Sequence, residues 1–255
     1  MKRFFHGRNL LFLGVGSAAL VIALVLILVS VIGSSSAETT PTTPTTTETS
    51  TTGSPAPSAP AKAPGAAATA ALFHGIPQQL NQLGNAKAKV TMVEFADPQC
   101  PYCRQYALET LPTLVREYVR TGKAKLVLFG IPIIGTNSEQ GLRATYAAGL
   151  QNKLWNFSDL LYKSQGAENS GWITDDLLRR IGNSIPGFDT NRMFADMQSD
   201  EVNAALSASA QQASSARVDR TPTFFAGPTG GRLEQLPITA LTPDAFRPAL
   251  DALLK

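Results

Sequence analysis

The chain has two cysteines among its 255 residues, and they stand together as Cys100-Pro101-Tyr102-Cys103. Two thiols with two residues between them can open and close a disulfide. The chemistry needs one sulfur to be held as a thiolate, the attacking and leaving species in thiol exchange. The flanking sequence supplies that condition. Val90–Ala96 is apolar and β-branched and reads as a buried strand. From Pro101 to about Arg120, Leu108, Leu111, Val115, Tyr118 and Val119 recur at helical spacing. Cys100 therefore falls at a helix N-terminus. Unpaired N–H groups and the macrodipole stabilise negative charge there, and a thiol's pKa falls from about 8.5 toward roughly 3.5–7. This placement predicts Cys100 as the exposed thiolate and Cys103, one turn into the helix, as its more buried partner.

Two other uses of the pair are poorer fits. A zinc site needs two further ligands, and the only histidines are His6 and His74. A purely structural disulfide would close a very short loop and stabilise little. A second constellation is Arg220-Thr221-Pro222-Thr223-Phe224-Phe225. Taken alone, a proline directly before a strand pattern is a strand-initiating residue.

The elements that must position these residues follow in order. Pro112 kinks the first helix, and Gly122 ends it. Lys125–Phe129 is a second buried strand. Ser138 to about Val218 carries no strand signal but has helical patterns around Leu142–Leu150, Phe157–Tyr162, Asp175–Ile181, Arg192–Met197 and Val202–Ser215. Trp155, Phe157 and Trp172 read as core of that stretch. Thr223–Ala226 is a short strand, Gly230–Gly231 a turn, and Arg232–Gln235 the returning strand. Thr242-Pro243-Asp244 opens a last helix, with Thr242 as N-cap and Pro243 at its first position. Phe246, Leu250 and Leu253–Leu254 form its apolar face. The layout is mixed α/β.

The N-terminal part is of a different kind. Leu10 to Ile32 is an uncharged run of 23 residues, and about 20 apolar residues span a bilayer. Residues 10–33 are expected to be one transmembrane signal-anchor behind a basic flank, residues 1–9. Lys2, Arg3 and Arg8 precede the run, so the N-terminus is expected in the cytoplasm and the rest outside. Cleavage near Ser35-Ser36-Ala37, followed by secretion, is the alternative. Residues 34–71 are rich in Thr, Pro, Ser and Ala and lack large side chains over most of their length. They are expected to be a disordered linker. The chain has 22 Lys+Arg and 19 Asp+Glu. With the three basic residues of the N-terminal flank set aside, the balance is zero, which gives no footprint for nucleic acid.

Gly75-Ile76-Pro77, Leu83-Gly84, Val90–Ala96, Asp97 and Cys100-Pro101-Tyr102-Cys103 are followed, some 120 residues after the cysteines, by Thr221-Pro222-Thr223-Phe224-Phe225. In this order and spacing they resemble the DsbA-like thiol–disulfide oxidoreductases, in particular their membrane-anchored bacterial branch. The resemblance covers residues 72–255. It implies a thioredoxin fold with an inserted helical domain at about 137–217. It also implies a redox disulfide between Cys100 and Cys103, and a cis Thr221–Pro222 peptide packed against it. The backbone of Thr221 would then pair with an extended substrate. Pro101 and Tyr102 would set the redox poise. Glu94 and Asp97 match acidic positions of the family. A buried Glu94 would modulate Cys103 or relay its proton; a solvent-facing strand residue is the equal alternative. Three positions depart from the family pattern: Arg220 where relatives often carry Gly, Pro-Tyr rather than Pro-His, and Thr rather than Val before the proline.

The activity implied is that of an extracytoplasmic, membrane-tethered oxidase. It would introduce disulfides into exported proteins, use no cofactor or metal, and be reoxidised by a quinone-linked membrane protein. The alternatives are a reductase or isomerase of exported thiols, as in cytochrome maturation, and a redox-inert peptide-binding or chaperone module.

Overall fold

The computed structural model describes residues 61–255. The basic flank, the expected membrane segment and the linker as far as residue 60 lie outside the described residues. Among those described, no helix is long and apolar enough to cross a membrane.

One mixed sheet carries the fold. Its strands are β1 (Gln78–Gln79), β2 (Gln82–Leu83), β3 (Val90–Ala96), β4 (Ala124–Gly130), β5 (Thr223–Pro228) and β6 (Glu234–Gln235). Their spatial order is β1-β2-β4-β3-β5-β6. β3 pairs in parallel with β4 from Val90↔Ala124 to Ala96↔Gly130. It pairs antiparallel with β5 from Val90↔Pro228 to Phe95↔Thr223. Every residue of β3 is buried, because this central strand is covered on both faces.

The two faces differ. Val90, Met92 and Ala96 of β3 join the main core with Leu126, Leu128, Phe224, Tyr106, Leu114 and Phe246. Val93 and Phe95 look the other way and pack with Ile131, Phe129, Phe225 and Ala213. Side chains alternate along a strand, so Glu94 lies on the same face as Met92 and Ala96, toward the main core.

The expected helix after the cysteines runs through residues 101–119, but not as one α-helix. It comprises α2 (Pro101–Gln105), a π-helical turn at Tyr106–Thr110, α3 (Leu111–Leu114) and a second π turn at Val115–Val119. The expected kink at Pro112 takes this form. Pro112 has no N–H for the ladder and its ring crowds the preceding turn, so the turn before it widens, with the N–H of Leu111 donating to the carbonyl of Tyr106.

Between β4 and β5 the chain forms α4 (Thr136–Gly149), α5 (Leu154–Lys163), α6 (Asp175–Gly182), α7 (Thr190–Asp196) and α8 (Asp200–Ser215). This is the expected helical insertion in a thioredoxin-like α/β fold. Trp155 and Phe157 are buried in it. Thr174, Asp189 and Ser199 cap α6, α7 and α8 through their side chains. The last helix, α9 (Pro243–Ala252), starts with Pro243 as expected, but the Thr242 side chain makes no capping bond.

Three elements differ from the sequence reading. The two-residue strands β1 and β2 carry no pattern long enough to detect. Residues assigned to the linker are folded: Ala66–Phe73 is helix α1, and Ala63 is buried. Tertiary contacts hold this helix. The Thr69 hydroxyl donates to Asp159, Lys163 Nζ donates to Thr69 Oγ1 at 2.8 Å, and the Ala63 N–H donates to Ser184 Oγ at 2.7 Å.

Candidate active site

The cysteine pair sits where β3 gives way to α2. Cys100 is the N-cap, with extended backbone (φ −69°, ψ 120°), and Pro101 opens the helix. This turns the N–H of Cys103 onto Cys100 Sγ at 3.4 Å. The Cys100 thiol in turn donates to the carbonyl of Thr221 at 3.3 Å. Both cysteines are free thiols, so this is the dithiol form of the pair. Thr221–Pro222 is a cis peptide, and the Thr223 hydroxyl donates to the Arg220 carbonyl at 2.7 Å, tightening the same loop.

The expectation of an exposed Cys100 is corrected here. The residue is only 4 % exposed, because the loop of Thr221 crosses over its sulfur. The exposed members of the motif are Pro101 and Tyr102, the latter at 63 %. Beside it a groove of about 510 Å³ runs between α2 and the β5–α9 connection, lined by Gln105, Arg220, Pro222, Leu236 and Leu241 among others.

Electrostatics make the two sulfurs unequal. The hydrogen bond with the Cys103 side chain is the largest influence on Cys100 and lowers its pKa. Burial opposes this, while the Thr221 side chain and the N–H groups of Cys103 and Tyr102 add to it, and the net result is a fall to about 6. Cys103 is pushed well above the ordinary thiol range, first by burial, then by its contact with Cys100 and the charges of Cys100 and Glu94.

Glu94 is buried, which removes the solvent-facing alternative. Burial and then the charge of Cys100 raise its carboxyl to about 8. Its Oε1 has no hydrogen-bond partner among the described residues. Asp97 is also buried, but it does different work. Its Oδ1 accepts from the Gln99 N–H (2.8 Å) and the Ser138 hydroxyl (2.6 Å), and its Oδ2 from the Ile134 N–H (2.9 Å). It ties the loop before Cys100 to the loop after β4 and to α4.

The structure thus brings Cys100, Pro101, Tyr102, Cys103, Thr221, Pro222 and Glu94 into one site, with Asp97 as the brace of its loop. Three supporting residues carry no signal of their own in the sequence. Gln165 Nε2 donates to the carbonyls of Pro98 (2.8 Å) and Cys100 (3.1 Å). Gln99 Nε2 donates to Ser138 Oγ at 2.9 Å. The Tyr162 hydroxyl donates to the Asp97 carbonyl at 3.2 Å. Gln165 and Tyr162 reach the site from the helical insertion, a relation set only by tertiary structure. Tyr106 carries no chemical signature in the sequence either, although its place one turn after Cys103 points it inward.

Comparisons with known proteins agree with this geometry. A family model described as Thioredoxin matches residues 78–252. A curated relative in Bacillus cereus, named probable disulfide bond formation protein D, is 34 % identical over 146 residues, covering 56 % of this chain and 68 % of that protein. Among solved structures, oxidised BdbD from Bacillus subtilis superposes with a TM-score of 0.60 at 18 % identity, over 70 % of this chain and 97 % of that one; at that identity the match bears on the fold alone. A thioredoxin-like oxidoreductase from Silicibacter pomeroyi aligns with a TM-score of 0.53 at 29 % identity, over 72 % of this chain and 95 % of that one.

Proposed function

The chain belongs to the thioredoxin family and is a thiol–disulfide oxidoreductase; on that premise we propose that it works as an oxidase, introducing disulfides into exported proteins. The observation that carries this direction is the inequality of the two sulfurs. Cys100 is a stable thiolate at neutral pH. A stable thiolate leaves readily and favours the reduced enzyme, which makes the disulfide form oxidising.

The proposed cycle starts from the Cys100–Cys103 disulfide. A substrate thiolate attacks Cys100 Sγ, a substrate–Cys100 bond forms, and Cys103 leaves. The displaced Cys103 lies in a site that strongly favours its protonated form. Glu94, neutral below about pH 8, supplies the proton. A second substrate thiolate then attacks the substrate sulfur of the mixed disulfide, and Cys100 leaves as thiolate. The substrate has lost two electrons and gained a disulfide, and the enzyme holds a dithiol.

The groove beside Tyr102 and Pro222 is the proposed seat of the substrate chain. The Thr221 carbonyl, 3.3 Å from Cys100 Sγ, accepts from Cys100 only when that sulfur is protonated, and is open to an extended substrate backbone when Cys100 is a thiolate or is bonded to sulfur. Residues 10–33 are proposed as the membrane anchor that places residues 61–255 outside the cytoplasm. Reoxidation is assigned to a quinone-linked membrane protein.

The test uses the oxidised full chain and a reduced exported protein carrying two cysteines. The reading predicts one substrate disulfide formed per enzyme disulfide consumed, and none with Cys100→Ser. An enzyme that leaves the dithiol untouched, yet in its reduced form opens the substrate's disulfide, would reverse the direction.

A further inference from the structure

Two polar oxygens are buried without a partner under the cysteine pair: Glu94 Oε1 and the Tyr106 hydroxyl. Buried polar groups are nearly always hydrogen-bonded, and an unpaired one is destabilising. Tyr106 is the sharper case. Its ring is fully buried, 4.6 Å from Phe224 and 5.5 Å from Phe246 between ring centres. Phenylalanine would fill that apolar space equally well without an unpaired hydroxyl. Packing alone does not explain the oxygen.

Its surroundings do. Phe224, against which the Tyr106 ring rests, is the residue registered opposite Glu94 across β3 and β5. Tyr106 also begins the π turn, one helical turn after Cys103. Burial raises the pKa of the Tyr106 hydroxyl, and the charge of Glu94 adds to it. The titratable groups around Glu94 are Cys100 at the N-cap of α2, Cys103 on α2, Tyr106 on the π turn and Tyr162 on α5. Leu128 and Phe224, its neighbours on β4 and β5, carry no charge. Tyr162 has spent its hydroxyl proton on the Asp97 carbonyl. Glu94 has no ion-pair partner among the described residues. Apart from the Cys103 thiol, a weak S–H donor that itself takes the Glu94 proton in the cycle above, Tyr106 is the donor left to it. The two oxygens make no direct hydrogen bond, and one buried water with two to four polar partners is the usual bridge across such a gap.

We infer that Tyr106 is a positioning residue for the thiol chemistry: through one buried water its hydroxyl donates to the Glu94 carboxylate formed when Glu94 gives its proton to Cys103. The inference rests on the redox reading above. The proton moves from the Glu94 carboxyl to the Cys103 thiolate, leaving a thiol and a carboxylate. The Tyr106 proton stays on its oxygen and stabilises the new charge through the bridge. The ionised carboxyl, otherwise isolated in an apolar wall, becomes accessible near neutral pH.

The experiment uses the full chain labelled with ¹³C at the tyrosine ring carbon that bears the hydroxyl. The Tyr106 resonance is expected to move with pH at the same midpoint as the infrared carboxyl band of Glu94, and to stay still in Glu94→Gln. In Tyr106→Phe, which preserves the ring, the carboxyl midpoint is expected to rise by about one unit. That corresponds to about tenfold less carboxylate at any pH below the midpoint. The pH profile of enzyme reduction should move with it. A Tyr106 resonance that stays flat through the Glu94 midpoint, or an unmoved midpoint in Tyr106→Phe, overturns the inference; the first needs no variant. The two readings fail separately. A flat Tyr106 in a chain that exchanges thiols removes the bridge and keeps the redox function. A chain that exchanges no thiols while Tyr106 still tracks Glu94 removes the redox function, and with it the role inferred for Tyr106.

Discussion

Replacing Glu94 with Gln should make the protein more stable, and by an amount that depends on pH. In the unfolded chain the carboxyl titrates at its ordinary 4.5; in the folded chain it titrates at about 8. The folded state therefore holds the proton over a window in which the unfolded state has released it. Below about pH 4.5 both states are protonated and the buried acid has no electrostatic cost. Between 4.5 and 8 only the unfolded chain ionises, so folding is progressively disfavoured. Above 8 both ionise and the penalty levels off. At pH 7 the separation amounts to about 3 kcal/mol, rising to a ceiling of about 5 kcal/mol above pH 8. Gln has the same shape and stays neutral, so Glu94→Gln recovers up to that amount. For a domain of this size, about 3 kcal/mol moves Tm by roughly 6–12 °C. The assay is denaturant or thermal unfolding of reduced wild type and variant at pH 4, 7 and 8.5. The gap should be small at pH 4 and widen upward. A variant no more stable than wild type at pH 7, or a gap that ignores pH, would refute the placement of an isolated carboxyl in the core.

Other outcomes follow from the same geometry. Alkylation of reduced protein should show one thiol titrating near pH 6, assigned to Cys100, with Cys103 unreactive until far higher pH. The thiolate of Cys100 favours the reduced folded state; that contribution should be full above about pH 9, decline as pH falls and be gone below about 6. Cys103→Ala removes the hydrogen bond that most lowers Cys100 and should raise the Cys100 midpoint. Gly130→Ala would place a methyl 2.2 Å from Leu142 Cδ2, overpacking the end of β4 against α4; a loss of about 1–3 kcal/mol in urea unfolding is expected. Phe246→Ala empties a buried site whose ring lies 4.9 Å from Phe224 and 5.5 Å from Tyr106, and should cost about 3–5 kcal/mol.

Much of this site is legible in the chain because it is local. Cys100, Pro101 and Cys103 declare a helix start by their own positions, and Val90–Ala96 declares a buried strand by composition. What is not legible is set by residues far apart. The cover over Cys100 comes from Thr221, 121 residues away. The burial of Glu94 is ambiguous in sequence, since a carboxylate in an apolar strand fits an exposed face as well as a core one. Its register with Leu128 and Phe224 decides the matter. The alanine-rich helix α1 reads as linker because its own side chains bury little; Thr69, Asp159 and Lys163 secure it through a tertiary cluster. The π turn at Tyr106–Thr110 answers to Pro112, whose presence signals a break in the helix but not its form.

The central claim is that this dithiol pair is poised to give up its disulfide to other thiols. The most direct test is the reduction potential of the purified protein, equilibrated in glutathione buffers and quantified by thiol alkylation. A stabilised Cys100 thiolate predicts a strongly oxidising couple, toward about −120 mV, well above the cytosolic glutathione poise. A value near about −270 mV, in the range of thioredoxin itself, would leave the thiol chemistry standing and contradict the oxidase.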